Sequence, residues 1–233
     1  MRNLNDYLNQ YINLPFERIQ TLYRRRRILS LLNEYNPLNI LEIGCGFKPL
    51  FINYNSFNTF SIVEPIEAFY KSALKEARSN NKIILINNFL EDSIEKLSNI
   101  EYDFIILSSL LHEVESPQKF LESVHSICSK NTILCTIVPN SNSFHRLLAL
   151  SMKIIDSEDT MSNTQFIMQQ NNIYNHENLS VLLKKSGFKS FMSETFFIKP
   201  FTHKQMQKML DYRVINTSVL DGLYDMSSLF PDM

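Results

Sequence analysis

Five short apolar runs, Asn39 to Gly44, Asn58 to Glu64, Lys82 to Asn87, Tyr102 to Ser108 and Asn131 to Val138, recur through the middle of the chain. Most are nearly continuous in Ile, Leu, Val and Phe, the pattern of strands covered on both faces by helices. Between them lie helix-like stretches at Ile66 to Arg78, Ser93 to Ser98 and Pro117 to Ser129. Short strands alternating with helices are what a parallel sheet with crossover connections produces, so the rhythm predicts an α/β, doubly wound domain.

The flanks read differently. Phe16 to Glu34 carries Ile19, Leu22, Tyr23, Ile28, Leu31 and Leu32 at helical spacing, with Arg24 to Arg27 inside it. Successive helical residues turn by about 100°, so four arginines in a row cannot share one face: some point to solvent with snorkelling stems, and one could point at a ligand. After Val138, the stretch Pro139 to Asn175 is too long for an ordinary crossover and holds two helical runs, Ser143 to Ile155 and Met161 to Gln170. A helix follows at His176 to Lys185, closed by Ser186-Gly187, and Phe188 to Ile198 is a sixth strand candidate. The tail from Pro200 to Met233 reads as two helices, with Arg213 to Leu220 as a weak candidate for a seventh strand. The expected division is an N-terminal helical lid at 1–36, a core at 37–199 with a helical insertion at 139–175, and a helical tail at 200–233. Tyr11, Phe16, Tyr23, Phe144, Met152, Met161 and Met168 are the residues from which such a lid would be built. A sheet one strand short would expose an edge, which favours a homodimer or a truncated protein.

Composition removes several classes of function. The chain has 233 residues, 44% hydrophobic and 20% charged, enough to bury a full core without disulfides. Its 23 Lys and Arg nearly balance 24 Asp and Glu, giving a net charge of -1, so no bulk field draws it to nucleic acid or anionic lipid. Cys45, Cys128 and Cys135 are odd in number and lack ligand spacing, so neither a disulfide framework nor a metal site is expected. That usage fits a reducing, cytoplasmic setting. The most apolar runs, Phe104 to Leu111 and Leu147 to Ile155, fall short of the roughly 18 residues needed to cross a bilayer, and the polar N-terminus is unlike a signal peptide. No membrane partner is expected.

Only four glycines occur, and Gly44 and Gly46 close the first strand in Ile40-Leu41-Glu42-Ile43-Gly44-Cys45-Gly46. Glycine there serves a turn with positive φ or a close backbone approach to a ligand. Glu42 precedes the turn, and Glu64 ends the second strand twenty residues beyond Gly44, near the spacing at which a carboxylate reaches a ribose diol. A dinucleotide fingerprint would need a glycine at position 49, which is Pro49, so a nicotinamide cofactor is disfavoured.

Glu42 to Gly46, with Lys48 where many members carry a third glycine, resembles the first motif of the class I S-adenosylmethionine-dependent methyltransferases. Tyr102 to Val114 is similar to the fourth-strand motif of the same family, Val138-Pro139-Asn140 to the end of its fifth strand, and His176 to Phe188 to the helix before its sixth. The resemblance spans roughly residues 16 to 199 and implies a Rossmann-like sheet of six or seven strands, S-adenosylmethionine as cofactor and S-adenosylhomocysteine as product. It further implies that Glu64, followed by Pro65, binds the ribose hydroxyls, that Gly44, Cys45 and Gly46 contact the amino-acid portion, and that Glu42 holds the loop and the methionine ammonium. Leu90 and Glu91 would meet adenine, with Asp92 as either a rival ligand or a helix cap, and Ser108 ends the strand that faces the cofactor. The fourth-strand region is similar to the quinone-biosynthesis O-methyltransferases, where a helix arginine grips the cofactor carboxylate; the matching position is Arg24.

Methyl transfer is an in-line displacement promoted by positioning, and a hydroxyl nucleophile gains from a base with pKa near neutrality. His112 is the first candidate for that base and His145 the second, each set against the plain reading of a loop histidine that caps a helix. Ser108-Ser109-Leu110-Leu111 stands where amide and exocyclic-nitrogen methyltransferases carry Asn/Asp-Pro-Pro-aromatic, and no Pro-Cys dipeptide occurs. A small-molecule or nucleotide-sugar hydroxyl is the expected acceptor. The rival expectation is a catalytically inactive methyltransferase-like partner subunit.

Overall fold

β1 (Asn39–Ile43), β2 (Thr59–Val63), β3 (Ile83–Ile86), β4 (Tyr102–Ser108) and β5 (Cys128–Ile137) form one parallel sheet of order β3-β2-β1-β4-β5 in the computed structural model. The structure describes residues 3–78 and 80–230. The helices are α1 (Leu4–Ile12), α2 (Glu17–Tyr35), α3 (Glu67–Ala77), α4 (Ile94–Leu97) and α5 (Pro117–Ser126) before β5. After it come α6 (Phe144–Ser151), α7 (Asn163–Ile167), α8 (His176–Lys185), α9 (His203–Asp211) and α10 (Thr217–Asp225). The chain divides into two compact units. One is Arg25–Val138 with Leu182–Phe188; the other is Met1–Arg24, Pro139–Val181 and Lys189–Met233.

The sheet unit is built on continuous apolar strands. Ile40, Phe60, Ile62, Phe104 and Ile106 share one buried cluster with Ile28, Leu31 and Leu32 of α2. The connection from β1 to β2 holds a single 3-10 turn, Leu50–Ile52, in place of a crossover helix. Its apolar side chains do the covering instead. Leu50, Phe51, Tyr54 and Phe57 join the same cluster, with the Phe51 and Phe57 rings set edge-on to Phe60 at centroid separations of 5.8 and 5.3 Å. Full burial of such a side chain stabilises the fold by about 1.5–3 kcal/mol. Register is pinned at the start of the strands, where Asp103 Oδ2 accepts from Leu38 N at 2.9 Å and Asn39 N at 2.8 Å.

In the other unit, Phe16 and Tyr23 pack with Met206 and Leu220, and Tyr23 stacks on Phe197 at 4.6 Å. The Tyr23 hydroxyl donates to Asp221 Oδ1 at 3.0 Å. Asn3 and Gln169 exchange hydrogen bonds of 2.9 and 3.1 Å, fastening the start of α1 to the residues after α7.

Two strand expectations are corrected. Phe188 to Ile198 joins no sheet, so among the described residues the sheet has five strands rather than six or seven. Polar pairs at Lys189-Ser190 and Ser193-Glu194 break its alternation and leave Phe191 64% exposed. Its hydrogen bonds go elsewhere: Ile198 N donates to Leu223 O at 3.0 Å, and the Thr195 hydroxyl to Phe230 O at 2.9 Å. Arg213 to Leu220 is also no strand, because Asn216 caps α10 there by accepting from Val219 N at 3.2 Å. The tail does form two helices, α9 and α10; residues 1–2 of the expected lid and 231–233 of the expected tail lie outside the described residues. No described helix is long and apolar enough to cross a membrane.

Candidate functional site

Strand order reverses between β1 and β4, and in doubly wound sheets the carboxyl ends of the strands at such a switch point frame the ligand crevice. Gly44 N still donates to Val63 O at 2.9 Å, extending the ladder one residue past β1. The chain then turns through φ of +77° at Gly44 and +59° at Gly46. A Cβ on Gly44 would meet Leu110 Cδ2 at 3.6 Å, an ordinary contact, so conformation and not space selects glycine.

Glu64, 2% exposed, follows β2 directly. Its Oε1 accepts from Ile66 N at 2.9 Å and its Oε2 from Gly46 N at 3.3 Å, so one carboxylate ties the two turns together. Pro65 lies between those contacts, ahead of α3. The Cys45 backbone and thiol add further hydrogen bonds to the same carboxylate. Burial nonetheless outweighs these bonds and pushes the Glu64 carboxyl up to about 7. Glu42 faces the same turn, accepting from Leu50 N at 2.9 Å. Burial, with the Glu64 charge adding to it, raises its carboxyl to about 8 against the opposing pull of the Leu50 amide and Arg25. Two buried acids held near neutrality suit a ligand that brings hydroxyl donors and positive charge, as a sulfonium nucleoside does.

Cys45 lies between the glycines with its Sγ donating to Gly46 O at 3.3 Å; burial and both glutamates push the thiol up, so it is no thiolate nucleophile. Arg25 braces the outer side of the loop, donating to Lys48 O, to Pro49 O at 3.2 Å and to Asn53 Oδ1 at 2.7 Å. Burial lowers its pKa while Glu42 opposes that shift. Sequence reasoning missed this residue, since a run of four arginines does not reveal which one faces the turn.

After β3, Asn87 Nδ2 donates to Glu64 O at 2.8 Å and fastens the third strand end to the second. Leu90 is buried, whereas Glu91 and Asp92 are exposed. Asp92 is not the cap of α4; Ser93 occupies that position and its hydroxyl donates to Phe89 O at 2.7 Å. Ser108 ends β4, Ser109 takes φ of +60°, and a 3-10 turn, Leu111–Glu113, presents His112. His112 is 2% exposed, with its Nε2 3.8 Å from Glu113 Oε1.

Arg24 and His145 belong to the other unit. The Arg24 guanidinium donates to Glu17 Oε1 and to Thr21 Oγ1, the latter at 2.9 Å. His145 Nδ1 lies 3.1 Å from Ser143 Oγ, and burial together with Lys199 and Arg146 pushes the ring down to about 3.

The Gly44 to Gly46 turn, acids at the ends of β1 and β2 and a sheet reversed beside β1 define a nucleoside-binding class of α/β protein. A family model for methyltransferase domains matches residues 16–191, and the chain belongs to that family, the S-adenosylmethionine-dependent methyltransferases. A ubiquinone biosynthesis O-methyltransferase of Rickettsia bellii is 31% identical over 106 residues, 44% of this chain and 42% of the relative. A Rickettsia canadensis relative of the same name is 32% identical over 108 residues, covering 44% and 43%. The chain therefore spans less than half the length of these curated relatives. Among solved structures, the plantazolicin methyltransferase bound to a desmethyl analogue and S-adenosylhomocysteine is similar in fold, with TM-score 0.59 and 18% identity over 88% of this chain and 78% of that one. A methyltransferase of Thermotoga maritima, described as a possible histamine N-methyltransferase, gives TM-score 0.54 and 19% identity over 84% and 82%.

Proposed function

We propose that the chain transfers a methyl group to a hydroxyl of a small molecule at the carboxyl ends of β1, β2 and β4. The observation that carries the reading is Glu64, a buried carboxylate at the end of β2 that bridges the glycine turn and the start of α3. S-adenosylmethionine supplies an electrophilic methyl group on a sulfonium. Glu64 accepts from the ribose hydroxyls, and the backbone turn of Gly44, Cys45 and Gly46 receives the amino-acid portion. Glu42 balances the positive charge and fixes the loop through Leu50, while Arg25 braces that loop from outside. Leu90 offers an apolar wall and a backbone amide to adenine, and Glu91 an acceptor for its amine.

His112 is the base in this reading. It takes the hydroxyl proton as the new C–O bond forms and the S–C bond breaks, and Glu113 beside it stabilises the imidazolium. Arg24, held by Glu17 and Thr21, is assigned no cofactor role. Oxygen as the accepting atom is supported by the curated relatives, whose name specifies O-methylation, and it places phenols ahead of nucleotide sugars as acceptors to test. Calorimetric titration with S-adenosylhomocysteine and a labelled-methyl screen of both acceptor classes test the reading. His112→Asn is expected to lower kcat about 100-fold at unchanged S-adenosylhomocysteine affinity. Unaltered turnover removes His112 as the base, and a folded chain that binds no S-adenosylhomocysteine overturns the proposal.

A further inference from the structure

The unit formed by Met1–Arg24, Pro139–Val181 and Lys189–Met233 contains a second gathering of ionisable groups, opposite in sign to the first. Lys199 is 5% exposed, and its Nζ lies 3.1 Å from His203 Nδ1. His203 Nε2 in turn meets Gln20 Oε1. The amide oxygen only accepts, so Nε2 carries the ring proton and Nδ1 offers its lone pair to the lysine. One N–H of the ammonium is used in this way, which leaves two. Among the described residues, no carboxylate oxygen lies within 4.0 Å of Lys199 Nζ. The acid of the neighbourhood, Glu17, is already taken by Arg24.

The local charge count decides the ligand. Arg24 and Glu17 cancel. His203 and His145 are neutral, since burial, and then Lys199, push them down to about 2 and about 3. Lys199 itself then carries one positive charge with two unused donors, on a buried ammonium that is costly to leave unpaired. His203 is the first residue of α9, a nine-residue helix whose N-terminus adds positive potential at the same place. We propose that Lys199, held by His203, forms a binding site for the carboxylate of a small organic acid, its two oxygens meeting the two remaining N–H donors of the ammonium and one negative charge meeting one positive. A phosphate dianion would leave a buried charge unbalanced. This site goes beyond the methyl-transfer reading and does not depend on it.

The test uses the full chain with benzoate and inorganic phosphate as probes, in parallel with S-adenosylhomocysteine as a readout of the first site. Benzoate is expected to raise the melting temperature, and Lys199→Met to weaken benzoate binding at least tenfold while S-adenosylhomocysteine affinity stays unchanged. Equal responses of wild type and K199M, no response of the folded wild type, or a response to phosphate alone each overturn the proposal. Should K199M fail to fold, the wild type still decides. Burial lowers the Lys199 pKa to about 7, with Glu17 opposing. The other titratable groups around the cluster are Tyr7 and Tyr11 beside Arg24, and Arg146 beside His145. Benzoate affinity should fall about tenfold from about pH 6 to about pH 8 as the ammonium discharges. A flat profile overturns the assignment.

Discussion

The acid turn at the ends of β1 and β2 and the basic cluster of Lys199 and His203 bury charge by opposite means. Glu42 and Glu64 lie among backbone N–H groups that the strand ends and glycine turns present. Lys199 leans instead on side chains, one imidazole and through it one amide, brought together from positions 183 residues apart. Backbone donors come with the fold and hold their places when a side chain is changed. A side-chain relay lasts only while every member keeps its rotamer. The acid turn should therefore tolerate substitution as a structure and fail as a binding site, whereas the basic cluster should be sensitive in both respects.

Glu64→Gln gives the largest expected effect. The amide keeps one acceptor oxygen for a backbone N–H but loses the charge and the second acceptor for a diol. Charge-assisted hydrogen bonds contribute about 1.5–3 kcal/mol each, so S-adenosylhomocysteine affinity should drop about 100-fold or more in calorimetry. The benzoate response of Lys199 should not move. A joint loss of both would show that the two regions are coupled, and an unchanged nucleoside affinity would remove Glu64 from the site.

A middling effect comes from protons. With the Glu64 carboxyl near 7 and Glu42 near 8, a ligand that needs them ionised must displace protons at neutral pH. 5′-Methylthioadenosine carries no titrating group between about pH 6 and about pH 8, so its pH dependence reports the protein. Its affinity should rise about tenfold across that interval, opposite in direction to benzoate at Lys199, and Glu64→Gln should abolish most of the rise. Matching slopes for the two ligands would erase the contrast between the regions.

The same contrast governs what sequence alone makes legible. Strand runs, scarce glycines and an acid twenty residues beyond Gly44 are local patterns, and β1 to β5 follow them closely. Phe188 to Ile198 reads as a strand because its phenylalanines and isoleucine look apolar in isolation; only in the fold do the Ile198 amide and the Thr195 hydroxyl go to Leu223 and Phe230. Arg25 and Arg24 are neighbours in a uniform run, and their separate tasks depend on a rotation of about 100° that no local pattern records. Lys199 and His203 lie in a stretch with no motif at all, and their partner Gln20 is on a distant helix. Chemistry carried by backbone turns is visible in a sequence; chemistry assembled from remote side chains is not.

The smallest effect is on stability, and its sign separates a binding acid from a structural one. The Glu42 carboxyl rises from an ordinary 4.5 to about 8 on folding. Below about pH 4.5 both folded and unfolded chains hold its proton, and folding carries no penalty from this group. As pH rises above that value the unfolded chain releases the proton while the native chain keeps it, so stability falls through the interval and levels off only above about pH 8. Glu42→Gln retains an acceptor oxygen for Leu50 N and removes the titration. The variant should melt close to wild type near pH 5 and above it near pH 8, by about 2–4 °C for each kcal/mol of penalty removed, even as its nucleoside affinity drops. Melting curves at the two pH values decide it: a variant less stable than wild type near pH 8 would mean that Glu42 is ionised and already paired in the ligand-free protein, and the acid turn would then resemble a closed structural network rather than a site awaiting a cation.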